Sequence, residues 1–198
     1  MLIETHSMSI QEQKDLINKL IERGRVINNG GGRLVFEHPD YEDRVVKIAM
    51  GEGGIVQNTA EADIYYTYSE SYDVFANIYG HSELIVEMEK VEPFPDDLDY
   101  LEEGEERDKA WRLKFLLDDL IGDTADNEQL GLNECGEIVA YDYGYSPEKN
   151  CSEQTSELRD CYFDVDEYLS NLICILDGEI DMATLEADTL RDEEEIDE

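Results

Sequence analysis

Apolar side chains recur at helical spacing between Ser9 and Arg23, where Leu16, Ile17, Leu20 and Ile21 share one side. Ser9 supplies the N-cap, Glu12 completes a capping box, and Gly24 ends the helix. The pattern then changes to short runs rich in Val, Ile and Phe: Arg25 to Asn28, Arg33 to Glu37 and Arg44 to Met50. They are separated by Asn29-Gly30-Gly31-Gly32 and by His38-Pro39-Asp40, which is the signature of strands joined by tight turns. Gly51 to Gly54 reads as a flexible connection, with a helix following from Val56 to about Ser69. Glu83 to Met88 predicts another strand, and Pro93 and Pro95 break the chain after it. A charged stretch from Asp96 leads into an amphipathic helix over Lys109 to Ile121, with Trp111, Leu113, Phe115, Leu116 and Leu120 as its apolar residues. Glu137 to Tyr143 predicts a strand that ends in Asp-Tyr-Gly, and Tyr145 to Leu158 is polar and loop-like. Asp164 to Ile175 is helical in pattern, and Met182 to Leu190 more weakly so.

Charge changes this picture more than any other property. Against 15 Lys and Arg stand 51 Asp and Glu, a formal net charge of -36 on 198 residues. Self-repulsion of that size destabilises a compact state in dilute buffer. Concentrated salt relieves it, because the Debye length falls from about 10 Å at 0.1 M to about 3 Å at 1 M. The hydrophobic fraction of 41% provides for a real core and separates the chain from disordered acidic sequences. The expectation is a cytoplasmic protein of a halophile, or of a virus infecting one, that folds in high salt. A nucleic-acid mimic is the competing reading of such acidity. Glu12, Asp40, Glu83, Asp118 and Glu157 show that acids occur in nearly every segment, which fits general solvation better than one mimicking face. Direct nucleic-acid binding is not expected of this composition.

Other function classes find little support. No run approaches the roughly 18 apolar residues of a membrane helix, and Met1 to Ser9 lacks the basic and apolar regions of a signal peptide. Cys135, Cys151, Cys161 and Cys174 form no CxxC pair, so reduced thiols are expected and a Cys151–Cys161 bridge has no support. His6, His38 and His81 lie far apart with no HExxH spacing. No GxSxG elbow is present. Tyr65, Tyr66, Tyr68 and Tyr72 suggest core packing along a helix, or an interface. The acid-rich run from Glu102 to Asp108 and the tail from Asp192 to Glu198 read as solvated surface.

Four pieces stand together in an informative order: Gly-Arg-Leu-Val-Phe-Glu-His-Pro (32 to 39), Arg-Val-Val-Lys-Ile-Ala (44 to 49), Gln-Asn-Thr-Ala-Glu (57 to 61) and Ile-Val-Ala-Tyr-Asp-Tyr-Gly (138 to 144). The order is glycine-rich turn, strand with a central lysine, helix with a glutamate, and strand followed by Asp-x-Gly. In this the chain resembles compact protein-kinase-like proteins of phages and haloarchaeal viruses, and more distantly the RIO-type and aminoglycoside-type kinases. The resemblance runs from about Gly24 to Gly144. It implies an α+β, two-lobed fold with four parts: an N-terminal helix (1–24), an N-lobe of a small antiparallel sheet and one helix (25–92), a reduced helical C-lobe (93–191) and an acidic tail (192–198).

The resemblance also implies a site for ATP and Mg²⁺. Gly30, Gly31 and Gly32 would cover the nucleotide, although a glycine triplet is also an ordinary hairpin turn. Lys47 would meet the α- and β-phosphates and pair with Glu61, while Asp142 would hold the metal. The segment Glu87 to Val91 is similar to the hinge whose backbone meets an adenine. The catalytic loop departs from the pattern. Counting back from Gly131 puts Gln129 where the family has a metal-binding Asn, and Thr124 where it has the catalytic Asp. A shift of register brings in Asp123 or Asp126 as base and Asn127 as metal ligand, but no single register satisfies both spacings. A nucleotide-binding protein with degraded catalytic machinery is therefore the leading expectation. An active small phosphotransferase and a non-enzymatic interaction or virion protein, held by a protein partner, are the alternatives.

Overall fold

The computed structural model describes residues 6–30, 32–94, 104–121, 129–143, 164–185 and 187, and the chain in it is a mixed α+β protein. The elements run β1 (His6–Ser7), α1 (Ile10–Arg23), β2 (Arg25–Gly30), β3 (Arg33–Glu37), β4 (Arg44–Ala49), α2 (Gly51–Tyr68), β5 (Ile78–His81), β6 (Ile85–Glu89), β7 (Glu92–Pro93), α3 (Glu105–Ile121), β8 (Leu130–Leu132), β9 (Ile138–Ala140) and α4 (Val165–Asp177). A helical turn over 182–185 follows. Six strands form one sheet in the order β1-β5-β6-β4-β3-β2, antiparallel except for the β1–β5 pair. The other three form an antiparallel sheet in the order β7-β8-β9.

Helix α1 starts and stops where its sequence says. Ser9 accepts from the Glu12 amide, and the Glu12 carboxylate takes the Ser9 amide at 2.8 Å, a reciprocal cap of the kind worth about 1 kcal/mol. At Gly24 a Cβ would stand 2.4 Å from the Leu20 carbonyl oxygen, so only glycine passes this turn without a shift.

The alternation of β4 then divides the molecule. Val46 and Ile48 point to one face of the large sheet with Leu34, Phe36 and Ile85, and α1 covers them with Leu16, Ile17 and Leu20. Helix α4 completes the cover with Tyr168, Leu169 and Leu172. Placement of α4 differs from the expected lobe boundary at residue 93, because this helix packs beside α1 on the first sheet. Its apolar stripe has helical spacing, and the bare sheet face is the large apolar surface that it covers. The Tyr168 hydroxyl fixes the junction by donating to Ala49 O at 3.0 Å and accepting from Gly51 N at 3.2 Å.

The opposite face of the sheet carries α2 and the small sheet. Val45, Val86 and Met88 join Tyr65, Phe75, Phe94, Leu113, Leu117, Leu130, Val139 and Tyr143 in a second core. Two backbone bonds stitch the sheets together, from Ala76 N to Ala140 O at 2.7 Å and from Ala140 N to Val74 O at 2.8 Å. Helix α2 begins at Gly51, five residues before the predicted start at Val56. The reason is packing rather than propensity. A Cβ at Gly54 would come within 2.2 Å of the Gly32 carbonyl oxygen, so the glycines let the first turn lie against the β2–β3 turn. In α3 the stripe that meets the core is Ala110, Leu113 and Leu117, while Phe115 remains 62% exposed. Among the described residues no helix is long and apolar enough to cross a membrane.

Candidate functional site

Lys47 sits in the middle of β4, and the pleat sends it to the face opposite Val46 and Ile48. Glu61 comes down from α2 to meet it, with Nζ to Oε1 at 2.8 Å. The pair is enclosed: the Lys47 side chain is 5% exposed and that of Glu61 is 0% exposed. Charges in such a place are tolerated only when paired and hydrogen-bonded. Lys47 gains a further acceptor in the Tyr141 carbonyl oxygen at 2.6 Å, just past the end of β9. The same strand end brings Asp142 to 4.0 Å from Lys47 Nζ.

A fourth member of the cluster comes from β3. Arg33 donates from one guanidinium nitrogen to Glu61 Oε2 at 2.7 Å and from the other to Asp142 Oδ1. Two cations and two carboxylates are thus interlocked, with both Glu61 oxygens used. The sequence reading missed Arg33. The available signal was period two: Arg33 and Val35 alternate with Leu34 and Phe36, so a strand over 33–37 sends Arg33 to the face that Lys47 occupies. A glycine-rich turn directly before it drew attention to backbone rather than side chain.

The protonation behaviour follows from this arrangement. Burial is the strongest influence on Lys47, and with Arg33 nearby it holds the ammonium below its ordinary pKa despite Glu61 and Asp142. For Asp142, burial works upward, but Arg33 and then Lys47 outweigh it and keep the carboxyl below its usual range. Half of the Asp142 side chain nevertheless opens to solvent, through the cavity beside it. Arg33 is held above its ordinary value, with its two carboxylates overcoming burial.

That cavity measures about 950 Å³, and its wall mixes apolar with charged side chains. Val35 and Val45 come from the large sheet and Leu132 from the small one. Met88 to Pro93 forms the wall where the two sheets meet, which includes most of the segment from Glu87 to Val91. Glu89 N donates to Asn77 O at 2.8 Å and Lys90 N to Asp43 O at 2.8 Å, so this wall is pinned from outside the cavity. Arg33, Lys47 and Asp142 line the cavity too, as does Gln129. The Gln129 amide oxygen is buried and has no hydrogen-bond partner among the described residues.

Lys47, Glu61 and Asp142 are therefore brought together. Of the glycine triplet, Gly30 closes β2 opposite Arg33, and Gly32 has φ 117° with its carbonyl accepting from Met50 N at 2.7 Å. The cavity wall takes Ile27, Asn28 and Arg33 from this hairpin. Gly31, Asp123, Asp126, Asn127, Thr124 and Gly144 lie outside the described residues, as do Cys151 and Cys161. His38 is buried as a turn residue, its Nδ1 accepting from the amides of Asp40 and Tyr41. Cys135 and Cys174 are free thiols.

The expected Mg²⁺ can be tested against this donor set. The ion favours octahedral oxygen ligands, with one or two carboxylates beside phosphates. Asp142 Oδ1 is already held by Arg33 and faces Lys47, Glu61 has no oxygen to spare, and Gln129 offers a neutral amide. Among the described residues no group of three His, Cys, Asp or Glu converges on a point. Arg33 on Oδ1 thus makes Asp142 a poorer ligand for a divalent cation, although its second oxygen, Oδ2, is not engaged by Arg33. No protein-family model matches the sequence, and no curated protein matches it.

Proposed function

We propose that this chain is a kinase-like nucleotide-binding protein without efficient phosphoryl transfer, working in concentrated salt. One observation carries the reading: a buried Lys47–Glu61 pair at 2.8 Å, with Asp142 at 4.0 Å, beside a 950 Å³ cavity that Lys47 and Asp142 line together with Val35, Val45 and Leu132. The strand order supports it. Strands β2, β3 and β4 lie side by side, β6 is inserted next to β4, and β5 lies beyond, with α2 connecting β4 to β5. That is the order expected of a kinase-like N-lobe, in which the lysine strand is central and its partner helix follows directly.

The geometry suits a planar heterocycle between Val35, Val45 and Leu132, with backbone groups of the Met88 to Pro93 wall at its edge and a phosphate tail toward Arg33 and Lys47. Transfer chemistry has weaker support. A positioned general base contributes about 10²–10⁴-fold, and the register around Gln129 leaves the expected base position to Thr124. Salt dependence follows from the surface. Lys14, Lys19, Arg23, Arg25, Arg44 and Lys90 all lie in ion pairs with carboxylates, against a net charge of -36.

Thermal unfolding in multimolar KCl, with and without ATP and Mg²⁺, tests the reading on the wild type and on Lys47→Ala and Leu132→Trp. Ligand at about 100 times its dissociation constant adds about 2.7 kcal/mol, which at this length is a midpoint rise of roughly 5–10 °C. The rise is expected in the wild type and absent when Leu132→Trp fills part of the cavity. A folded wild type that shows no rise with any adenine nucleotide ends the proposal.

A further inference from the structure

We propose that Arg33 takes the place of a divalent cation in this cavity, so that a nucleotide binds there free of metal. The inference rests on the nucleotide reading above and specifies how its phosphate end is held. A metal-dependent site of this design needs a free Asp142 carboxylate facing the phosphates. Here the guanidinium sits on that carboxylate and on Glu61 at once, and its side chain is only 7% exposed. Glu61 is the common anchor, since it also binds Lys47. A guanidinium held by two carboxylates on different elements, α2 and the end of β9, is part of the packing and not a stray surface contact.

Two features make Arg33 a sufficient cation. Its fork has five N–H donors, of which two serve the carboxylates, and such a fork matches phosphate oxygens as a pair. It also lines the cavity beside Lys47, so both cations face the same end of any ligand. A Mg²⁺ ion at Asp142 would compete with Arg33 and Lys47 for a carboxylate those two cations already neutralise, with little dehydration energy recovered from a neutral Gln129. That amide oxygen, buried without a partner among the described residues, is better matched to a hydroxyl or amino group of the ligand.

The experiment compares ATP with excess EDTA and ATP with excess MgCl₂, by calorimetric titration of the full chain in KCl at matched ionic strength. The expected result is the same dissociation constant within about twofold. The companion measurement follows Mn²⁺ by electron paramagnetic resonance, where the wild type with ATP should bind no more Mn²⁺ than ATP alone and the protein alone together. Arg33→Gln should weaken ATP in EDTA by about tenfold, the order expected for one charge-assisted contact, and should make the remaining affinity depend on Mg²⁺. ATP binding that appears only with Mg²⁺, or Mn²⁺ bound beyond that sum, overturns the inference and leaves the nucleotide reading intact. No binding under either condition removes both. The wild-type comparison decides the matter even if Arg33→Gln does not fold.

Discussion

The two faces of the large sheet solve the same problem in opposite ways. Along one strand, Val46 and Ile48 enter an apolar layer closed by α1 and α4, while Val45 and Lys47 enter a face that ends in four interlocked charges. The apolar face is stabilised by transfer from water and tolerates change in proportion to the volume lost. The charged end behaves differently, since burying ions consumes most of what their attraction returns, and removing one partner strands the others. Both faces carry an apolar core, but only the second adds a buried charge cluster, which is kept at some expense to stability.

Glu61→Ala should break this comparison most severely. It leaves Arg33 and Lys47 enclosed without their shared carboxylate, a change that costs about 3–5 kcal/mol in buried pairs. At this chain length each kcal/mol lowers the midpoint by about 2–4 °C, so a fall of roughly 6–20 °C is expected in thermal unfolding at fixed KCl. A fall no larger than that of an exposed substitution would mean that the cluster is open to water.

Leu172→Ala probes the other face. The side chain is fully buried between α4 and the sheet, and the loss should be about 2–5 kcal/mol. The distinguishing result is that the ATP-induced rise in the midpoint survives in Leu172→Ala, because no part of the cavity wall is touched. Loss of the ligand response in this variant would show that the two faces are coupled.

The smallest effect is in acid. The Asp142 carboxyl titrates below its unfolded value, so the stability it contributes is complete above about pH 4 and fades as pH falls through the lower folded value. The stability difference between the wild type and Asp142→Asn should be constant above about pH 5 and shrink below pH 4. A difference that instead grows as pH falls would mean that the folded carboxyl titrates above the unfolded one. Comparing the two proteins removes the common response of the many other carboxylates.

What was legible in the sequence follows the strength of the local signal. The capping box of α1, the strand over 33–37 and the Lys47–Glu61 partnership are all local patterns or pairs one element apart, and each is where the residues put it. Strands β5, β7 and β8 were not read, because Ile-Tyr-Gly-His, Glu-Pro and Leu-Gly-Leu are too short for alternation to show. Gly131 makes the point physically: its strand is defined by close approach, with a Cβ 2.3 Å from Glu92 O, and not by propensity. The early start of α2 at Gly51 is also a tertiary effect. In the charge cluster, Lys47, Glu61 and Asp142 are residues that the sequence pattern marks, whereas an arginine beside a turn, such as Arg33, is ordinary until its partners are known.

The bond from Tyr168 to Ala49 joins residues separated by 119 positions in the chain. On the ribosome that separation becomes time. At roughly 5–20 residues per second, β4 waits about 6–25 s for the helix that covers Val46 and Ile48. For that interval the sheet face has α1 alone to cover it, in a chain whose net charge repels its own copies. The acidity of this protein thus protects it before it has folded.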